Sequence, residues 1–105
     1  ILKSRGEKVA PKEVEGVLHE LPGVLEAAVV GVADAILGQA IVAVVVRRDP
    51  ELTALQVLRH CRLRLEDWKV PQRVEFHDEL PKTNTGKVRR SAIELRGDAA
   101  GDAPR

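Results

Sequence analysis

The segment from Leu80 to Lys87 holds the residues of this 105-residue chain that are best suited to chemistry. Its sequence, Leu-Pro-Lys-Thr-Asn-Thr-Gly-Lys, is rich in turn-forming residues and is typical of a loop. Gly86 can adopt the positive φ that turns the backbone, and Lys87 then follows with a mobile cation that can approach phosphate or carboxylate oxygens. Three further cations lie nearby in the sequence: Lys82, Arg89 and Arg90.

Spacing alone leaves two interpretations of this loop open. It is either a solvated basic loop with a turn glycine, or a loop that brings Lys87 to an anionic substrate. It is not the phosphate-binding loop of P-loop NTPases. No glycine lies five residues before Gly86, and Val88 stands where Ser or Thr would bind magnesium.

A second glycine that could lie at a binding site is Gly6, in the sequence Lys-Ser-Arg-Gly-Glu-Lys-Val of residues 3–9. This sequence predicts two short extended stretches that turn at Gly6, and a residue without a side chain lets the backbone approach a ligand closely. From these residues alone, a plain hairpin glycine is the favoured interpretation. Trp68 lies in the sequence Trp-Lys-Val-Pro. A lone tryptophan more often packs against the core than stacks on a ligand, so packing is the favoured interpretation here as well.

The pattern of apolar residues predicts the elements that must hold these loops. A period of i, i+3, i+4, i+7 predicts a helix that begins near Pro11 and ends at Pro22-Gly23, and a capping box of Thr53 and Gln56 predicts the start of a second helix. The β-branched runs 24–32 and 40–47 predict buried strands, which their short connection makes antiparallel. The remaining predictions are a third strand at 72–76, a short basic helix at 88–95 and a disordered tail at 97–105.

Together these elements predict an α+β fold of one domain, residues 1–96. It comprises a small N-terminal hairpin, a three-stranded, mainly antiparallel sheet covered by two helices, and a short C-terminal helix. Glu13 and Glu15 are interpreted as charges that the helix dipole favours in the first helical turn. No metal site is predicted, because the three histidines show no ligand spacing with one another or with Cys61.

Composition and charge narrow the class of protein further. The net charge of +1 provides no overall field that would attract nucleic acid or an anionic membrane. A single cysteine favours a reducing compartment, and hence a cytoplasmic location. No apolar run approaches the length of about 20 residues that spans a bilayer. The first residue is Ile rather than Met, so the sequence is expected to be a piece of a longer protein.

Three stretches, in this order, resemble motifs of the C-terminal domain of the adenylate-forming superfamily: residues 3–15, 68–71 and 80–90. That superfamily includes acyl- and aryl-CoA synthetases, peptide-synthetase adenylation domains and luciferases. The resemblance implies that Lys87 reaches into a large N-terminal domain of the same chain, where it contacts the substrate carboxylate and the α-phosphate side of ATP. It also implies that Gly6 lies beside the pantetheine of CoA once the domain has swung after adenylation.

The same resemblance implies further roles and ligands. Trp68 would stack on the adenine of CoA, with Lys69 or Arg73 near the nucleotide phosphates. The full-length enzyme would use ATP, Mg²⁺ and CoA to activate a small-molecule carboxylic acid, whereas this domain alone would bind no cofactor tightly and would be inactive. Three residues would support the two loops: Arg5, Lys82 and Gly86.

Alternatives to this function stay open at the level of sequence. The chain could be a free-standing, non-catalytic binding module derived from the same domain, or the acceptor could be the thiol of a carrier protein instead of CoA. Acylation of the lysine that matches Lys87, known in relatives, could also regulate the enzyme by removing its charge. The identity of the acid is not encoded here, because its pocket would belong to the N-terminal domain.

Overall fold

The computed structural model of this chain describes residues 1–97. The predicted tail therefore lies outside the described residues, except for Gly97. The elements, in chain order, are β1 (Leu2–Ser4), β2 (Glu7–Val9), α1 (Pro11–His19), β3 (Val24–Asp34), β4 (Gly38–Arg47), α2 (Ala54–Arg64) and β5 (Arg73–Phe76), with 3₁₀ turns at Asp67–Lys69 and Arg90–Ala92.

The sheet confirms the predicted fold class and differs from it in one pairing. β3 and β4 form a long hairpin that is antiparallel, as predicted, and in which Val30 lies opposite Val42. β5 then pairs with β4 in the parallel direction, with Val44 opposite Glu75, so the sheet is mixed and not purely antiparallel. The reason is that α2 connects the end of β4 to the start of β5. A helical crossover returns the chain to the end of the sheet where β4 began, and the next strand therefore runs parallel to it.

Both faces of the sheet are covered, which explains why β3 and β4 are almost continuously apolar. On one face the sheet packs against the two helices and the β1–β2 hairpin. On the other face it packs against the segment that follows β5. The first face contributes fully buried Val29, Ile41, Val45 and Val74 to one core, and the second contributes buried Ala28, Val42, Val44 and Val46 to another.

Local sequence signals fix where the two helices begin. α1 begins at Pro11, because the fixed φ and missing N–H of proline suit the first helical turn. One helical turn apart on its inner face, Val14 and Leu18 are fully buried. α2 begins with the predicted capping box. The Gln56 N–H donates to Thr53 Oγ1 at 3.2 Å, and the Thr53 N–H donates to Gln56 Oε1 at 3.0 Å.

The predicted C-terminal helix at residues 88–95 is wrong: the segment is extended, apart from the single 3₁₀ turn Arg90–Ala92. Val88 instead forms an antiparallel bridge with Lys82. Ile93 and Leu95, which alternate as in a strand, pack against the second face of the sheet. Covering that flat apolar face with an extended segment outweighed the helical propensity of the sequence.

Candidate functional site

The loop that carries Lys87 is a turn closed by three hydrogen bonds. The Thr83 N–H donates to the Lys87 carbonyl at 2.8 Å, and the Gly86 N–H donates back to the Thr83 carbonyl at 2.9 Å. The Lys87 N–H donates to Thr83 Oγ1 at 3.2 Å. Gly86 has φ +87°, a conformation in which other residues are strained, so its predicted role in turning the backbone matches its geometry.

The side chain of Lys87 is exposed at this loop. Its ammonium group makes no hydrogen bond or ion pair within residues 1–97. The neighbouring cations differ: Lys82 pairs with Glu26 at 2.9 Å, and Arg90 pairs with Glu15 at 2.6 Å. These pairs fix the two ends of the loop to the body of the domain and leave Lys87 available to an external anion.

The Gly6 turn has the geometry of a tight two-residue hairpin. Arg5 and Gly6 both have positive φ, +56° and +79°, as a type I′ turn requires. β1 and β2 close it with Ser4 opposite Glu7. Among residues 1–97, apart from its two chain neighbours, no atom lies within 4 Å of a Cβ placed on Gly6, so the described surface above the turn is open. The Arg5 N–H donates to the Leu37 carbonyl at 2.9 Å, which anchors the turn to the β3–β4 hairpin.

The predicted nucleotide contacts Trp68 and Lys69 lie in the 3₁₀ turn that precedes β5. Trp68 is half-buried and packs against the core between the sheet and the two helices. Lys69 is held by two carboxylates, Glu66 at 2.9 Å and Glu13 at 3.1 Å, and its side chain is only 16% exposed. Hydrogen bonds from Lys69 to Glu66 and Glu13 raise the pKa of the ammonium group. Lys69 therefore presents no free charge to a phosphate in this arrangement.

A shallow cavity of about 350 Å³ lies between the Gly6 turn, through Arg5, and the 3₁₀ turn Asp67–Lys69, through Asp67. One of the side chains that line it is a cation that the sequence did not single out. That cation is Arg62, which faces the cavity from α2. Arg62 and Arg5 form no ion pair with any carboxylate of the described chain, although Asp67 also lines the cavity. In the sequence Arg62 is only a polar interruption of a helical apolar pattern, and nothing there indicates what it faces. The other residues that line the cavity are Leu58, Val70, Pro71 and Gln72.

The structure places the Lys87 loop and the Gly6 turn at opposite ends of the sheet. The base of the first loop is fixed through Lys82 to Glu26, near the start of β3. The second turn is fixed through Arg5 to Leu37, beyond the end of β3. The eight-residue step from Glu26 to Asp34 corresponds to about 26 Å of strand. One domain thus presents two separate candidate sites.

Glu75 is a buried carboxylate that holds the chain after the Lys87 loop. It is 0% exposed and accepts hydrogen bonds from His77 at 2.9 Å, from the backbone N–H of Arg96 at 3.0 Å and from that of Gly97 at 3.2 Å. Arg73 donates to it at 3.2 Å. Burial acts to raise the pKa of Glu75, but these four donors outweigh burial and lower the pKa.

We expect the domain to lose stability in acid because of Glu75. Its folded-state pKa lies below the ordinary value of 4.5, so its stabilisation is complete above that value and is lost as the pH falls through the folded-state pKa. Glu75→Gln should lower the free energy of unfolding by about 1–3 kcal/mol at neutral pH and less in acid. Thermal unfolding between about pH 6 and about pH 3 measures this. Exposed Glu51→Gln is the control, and an equal pH dependence of wild type and Glu75→Gln would contradict the assignment.

The remaining candidates for chemistry are used structurally. Cys61 is buried, and burial raises the pKa of its thiol to about 11, although the charge of Arg62 partly opposes this effect. A thiol with so high a pKa is unreactive at neutral pH. His60 Nε2 lies 3.0 Å from Glu20 Oε1 and 3.1 Å from the Val17 carbonyl. Within residues 1–97, no three His, Cys, Asp or Glu side chains are grouped to hold a metal ion. No helix in that range combines the length and the apolar character that a membrane span requires.

Sequence comparison relates the chain to one family of enzyme domains. The model of the family described as "AMP-binding enzyme C-terminal domain" matches residues 13–87. The long-chain-fatty-acid–CoA ligase of Escherichia coli O6:H1 is 47% identical over 96 residues, which are 91% of this chain and 17% of that ligase. The chain thus spans about a sixth of the length of the curated relatives it matches.

Solved structures give the same relationship at the level of the fold. A fatty acyl-CoA synthetase of Mycobacterium tuberculosis superposes with a TM-score of 0.82 at 37% identity, covering 86% of this chain and 18% of the synthetase. The o-succinylbenzoate-CoA synthetase of Bacillus subtilis, in complex with its acyl-adenylate intermediate, superposes with a TM-score of 0.83 at 33% identity. That match covers 96% of this chain and 20% of the other.

Proposed function

The chain belongs to the AMP-binding enzyme C-terminal domain family, and from that premise we propose that it is the mobile C-terminal domain of an ATP-dependent acyl-CoA ligase. The family match confirms the resemblance inferred from the motifs. The proposed role rests on one observation: an unpaired Lys87 and an open Gly6 turn lie at opposite ends of one sheet. Two reaction steps with different charge requirements can then be served by two orientations of one domain.

In the first proposed step, a carboxylate oxygen of the acid attacks the α-phosphorus of ATP, and pyrophosphate leaves. Two anionic groups must approach each other, so a fixed cation lowers the energy of the transition state. Lys87 can supply that cation because it has no counter-ion within the described chain and its backbone is held by Thr83. The acyl-adenylate complex of the related o-succinylbenzoate-CoA synthetase supports an intermediate of this kind.

In the second proposed step, the thiol of CoA attacks the acyl carbon as its thiolate, and AMP leaves. The domain would then have turned so that the Gly6 end faces the site, where a turn without a side chain leaves room for the narrow pantetheine. Arg5 and Arg62, in the adjoining cavity, would contact phosphate oxygens of CoA, for which planar guanidinium groups are well suited. This assigns to Arg62 the phosphate contact that the family resemblance implied for Lys69 or Arg73.

The reaction as a whole would require the large N-terminal domain that carries the acid and ATP pockets. The Mg²⁺ that accompanies ATP finds no grouped set of ligands in residues 1–97. The contribution proposed for this domain is therefore a positive charge and a shaped surface. The chain alone is expected to show no turnover, which an assay of the purified 105-residue chain with ATP, CoA and a fatty acid would check.

We expect Arg62→Gln in the full-length enzyme to raise the KM for CoA about tenfold, because one charge-assisted hydrogen bond is worth about 1.5 kcal/mol. The KM for ATP and the rate of pyrophosphate release should not change, since the cavity lies at the Gly6 end. Steady-state kinetics with CoA as the varied substrate measures the effect. Arg59→Gln, on the same helix but outside the cavity, is the matched control. An unchanged KM for CoA would contradict the assignment and favour a carrier-protein thiol as acceptor.

A further inference from the structure

Glu15 of α1 is the meeting point of three hydrogen bonds from distant parts of the chain. Its carboxylate accepts from Arg90 Nε at 2.7 Å and from Arg90 Nη2 at 2.6 Å, which is the bidentate arrangement of a guanidinium on a carboxylate. It also accepts from the backbone N–H of Val29 at 2.8 Å. The Glu15 side chain is 13% exposed and that of Arg90 is 38% exposed, so the carboxylate end of the contact is largely screened from solvent while the guanidinium end is open to it.

Arg90 is placed to control the Lys87 loop because it follows Lys87 by three residues. Between them, the Arg89 N–H donates to the Pro81 carbonyl at 2.8 Å, and Val88 is bridged to Lys82. The chain leaving the loop is therefore tied first to the chain entering it and then, through Arg90, to α1. The chain entering the loop is tied separately to β3 by Lys82 and Glu26.

We propose that the Glu15–Arg90 pair is a positioning device that sets the orientation of the Lys87 loop relative to the body of the domain. This inference rests on the proposed role of Lys87 in adenylation. Apolar packing of Ile93 and Leu95 holds the following segment to the sheet, but packing is non-directional. Two parallel hydrogen bonds to a carboxylate that is itself fixed by Val29 define both a distance and an angle. A lysine that must contact a phosphate in a transition state has to be held at a defined distance and angle.

The pair differs from an ordinary surface ion pair of the same domain. Glu20 and Arg64 lie 2.9 Å apart, but their side chains are 37% and 54% exposed, and such pairs contribute little to structure. The Glu20–Arg64 pair is therefore a control in which the same substitutions should have no effect on either half-reaction.

The test uses Arg90→Lys and Glu15→Gln in the full-length enzyme. Arg90→Lys keeps the positive charge and loses the bidentate fork, while Glu15→Gln keeps an acceptor for the Val29 N–H and loses the negative charge. Each should lower acyl-adenylate formation about tenfold, as expected for a small displacement of a reacting group, and leave thioester formation from supplied acyl-adenylate unchanged. Arg64→Lys and Glu20→Gln should leave both half-reactions unchanged.

A double variant separates positioning from a general structural effect. If Arg90 acts through Lys87, then Arg90→Lys should add no further loss of adenylation in a Lys87→Ala background. Amide hydrogen exchange of residues 83–88 should be faster in Arg90→Lys than in the wild type. A full additional tenfold loss in the Lys87→Ala background would overturn the inference, as would normal adenylation by Arg90→Lys.

These outcomes also distinguish failure of the inference from failure of the proposed function. If Lys87→Ala abolishes adenylation and Arg90→Lys does not affect it, the inference is wrong and the function stands. If Lys87→Ala leaves adenylation intact, the proposed function is wrong. The inference is then overturned with it, because the pair would have no catalytic group to position.

Discussion

Lys87→Ala in the full-length enzyme is expected to lower the rate of acyl-adenylate formation by about 10²–10⁴-fold, the range found when one group that stabilises a developing charge is removed. The loss follows from charge: without Lys87, the carboxylate and the triphosphate approach each other with one cation fewer in a low-dielectric site. Thioester formation from supplied acyl-adenylate should be largely kept, because the Lys87 loop lies at the other end of the sheet from the Gly6 turn. Pyrophosphate release and thioester formation, assayed separately, measure the two effects.

Two controls define what a loss of adenylation means. Lys12→Ala removes an exposed lysine from the outer surface of α1 and should leave both half-reactions unchanged. Lys87→Arg keeps a positive charge but changes its shape and reach, and it should recover only part of the rate. Normal rates for both half-reactions in Lys87→Ala would make Lys87 a solvated loop lysine, and the proposed site would be wrong.

Gly6→Ala is expected to have the opposite effect, lowering thioester formation about 10- to 100-fold while adenylation continues. A Cβ at Gly6 meets no atom within 4 Å in the described part of the chain, its two neighbours aside, so this part of the domain has room for it. The positive φ adds strain of about 1–2 kcal/mol, which a folded domain can tolerate. A large loss in the second step would therefore come from a clash of the new methyl group with a ligand or with the facing domain. Rates of thioester formation from acyl-adenylate and CoA measure it.

Gly97→Ala is the matched control for the backbone strain of Gly6→Ala. Gly97 has φ +71°, and none of the described residues other than its chain neighbour has an atom within 4 Å of its Cβ position, but it lies outside both loops. It should lower the melting temperature by a similar amount and leave both half-reactions unchanged. If Gly97→Ala impaired thioester formation as strongly as Gly6→Ala, the loss would reflect strain and not a ligand at Gly6.

The parts of the fold that local chemistry determines were predictable from the sequence. The Thr53–Gln56 capping box forms as its spacing predicts, because both hydrogen bonds join residues within one turn. The runs 24–32 and 40–47 lie within β3 and β4, because such runs of β-branched residues fit a sheet buried on both faces. The Gly6 turn follows in the same way from a residue that tolerates positive φ.

The features that the sequence did not reveal depend on contacts between distant residues. The direction of β5 depends on how α2 crosses the sheet, and the extended segment after Lys87 depends on the apolar face it must cover. Glu15 was interpreted as a helix-dipole charge, yet it binds Arg90, 75 residues away. Lys69, a candidate phosphate contact, is held in part by Glu13, 56 residues away. Pairings over such separations leave no periodic signal in a single sequence.

The most direct test of the central claim is a side-by-side rapid-quench measurement of both half-reactions in Lys87→Ala and Gly6→Ala. If one domain serves two steps from opposite ends, each variant must impair a different half-reaction. Lys87→Ala should lose acyl-adenylate formation and keep thioester formation, and Gly6→Ala should do the reverse, accumulating acyl-adenylate in the presence of CoA. If both variants lost the same half-reaction, the two ends would act in a single step, and the proposal of a domain that turns between steps would be contradicted.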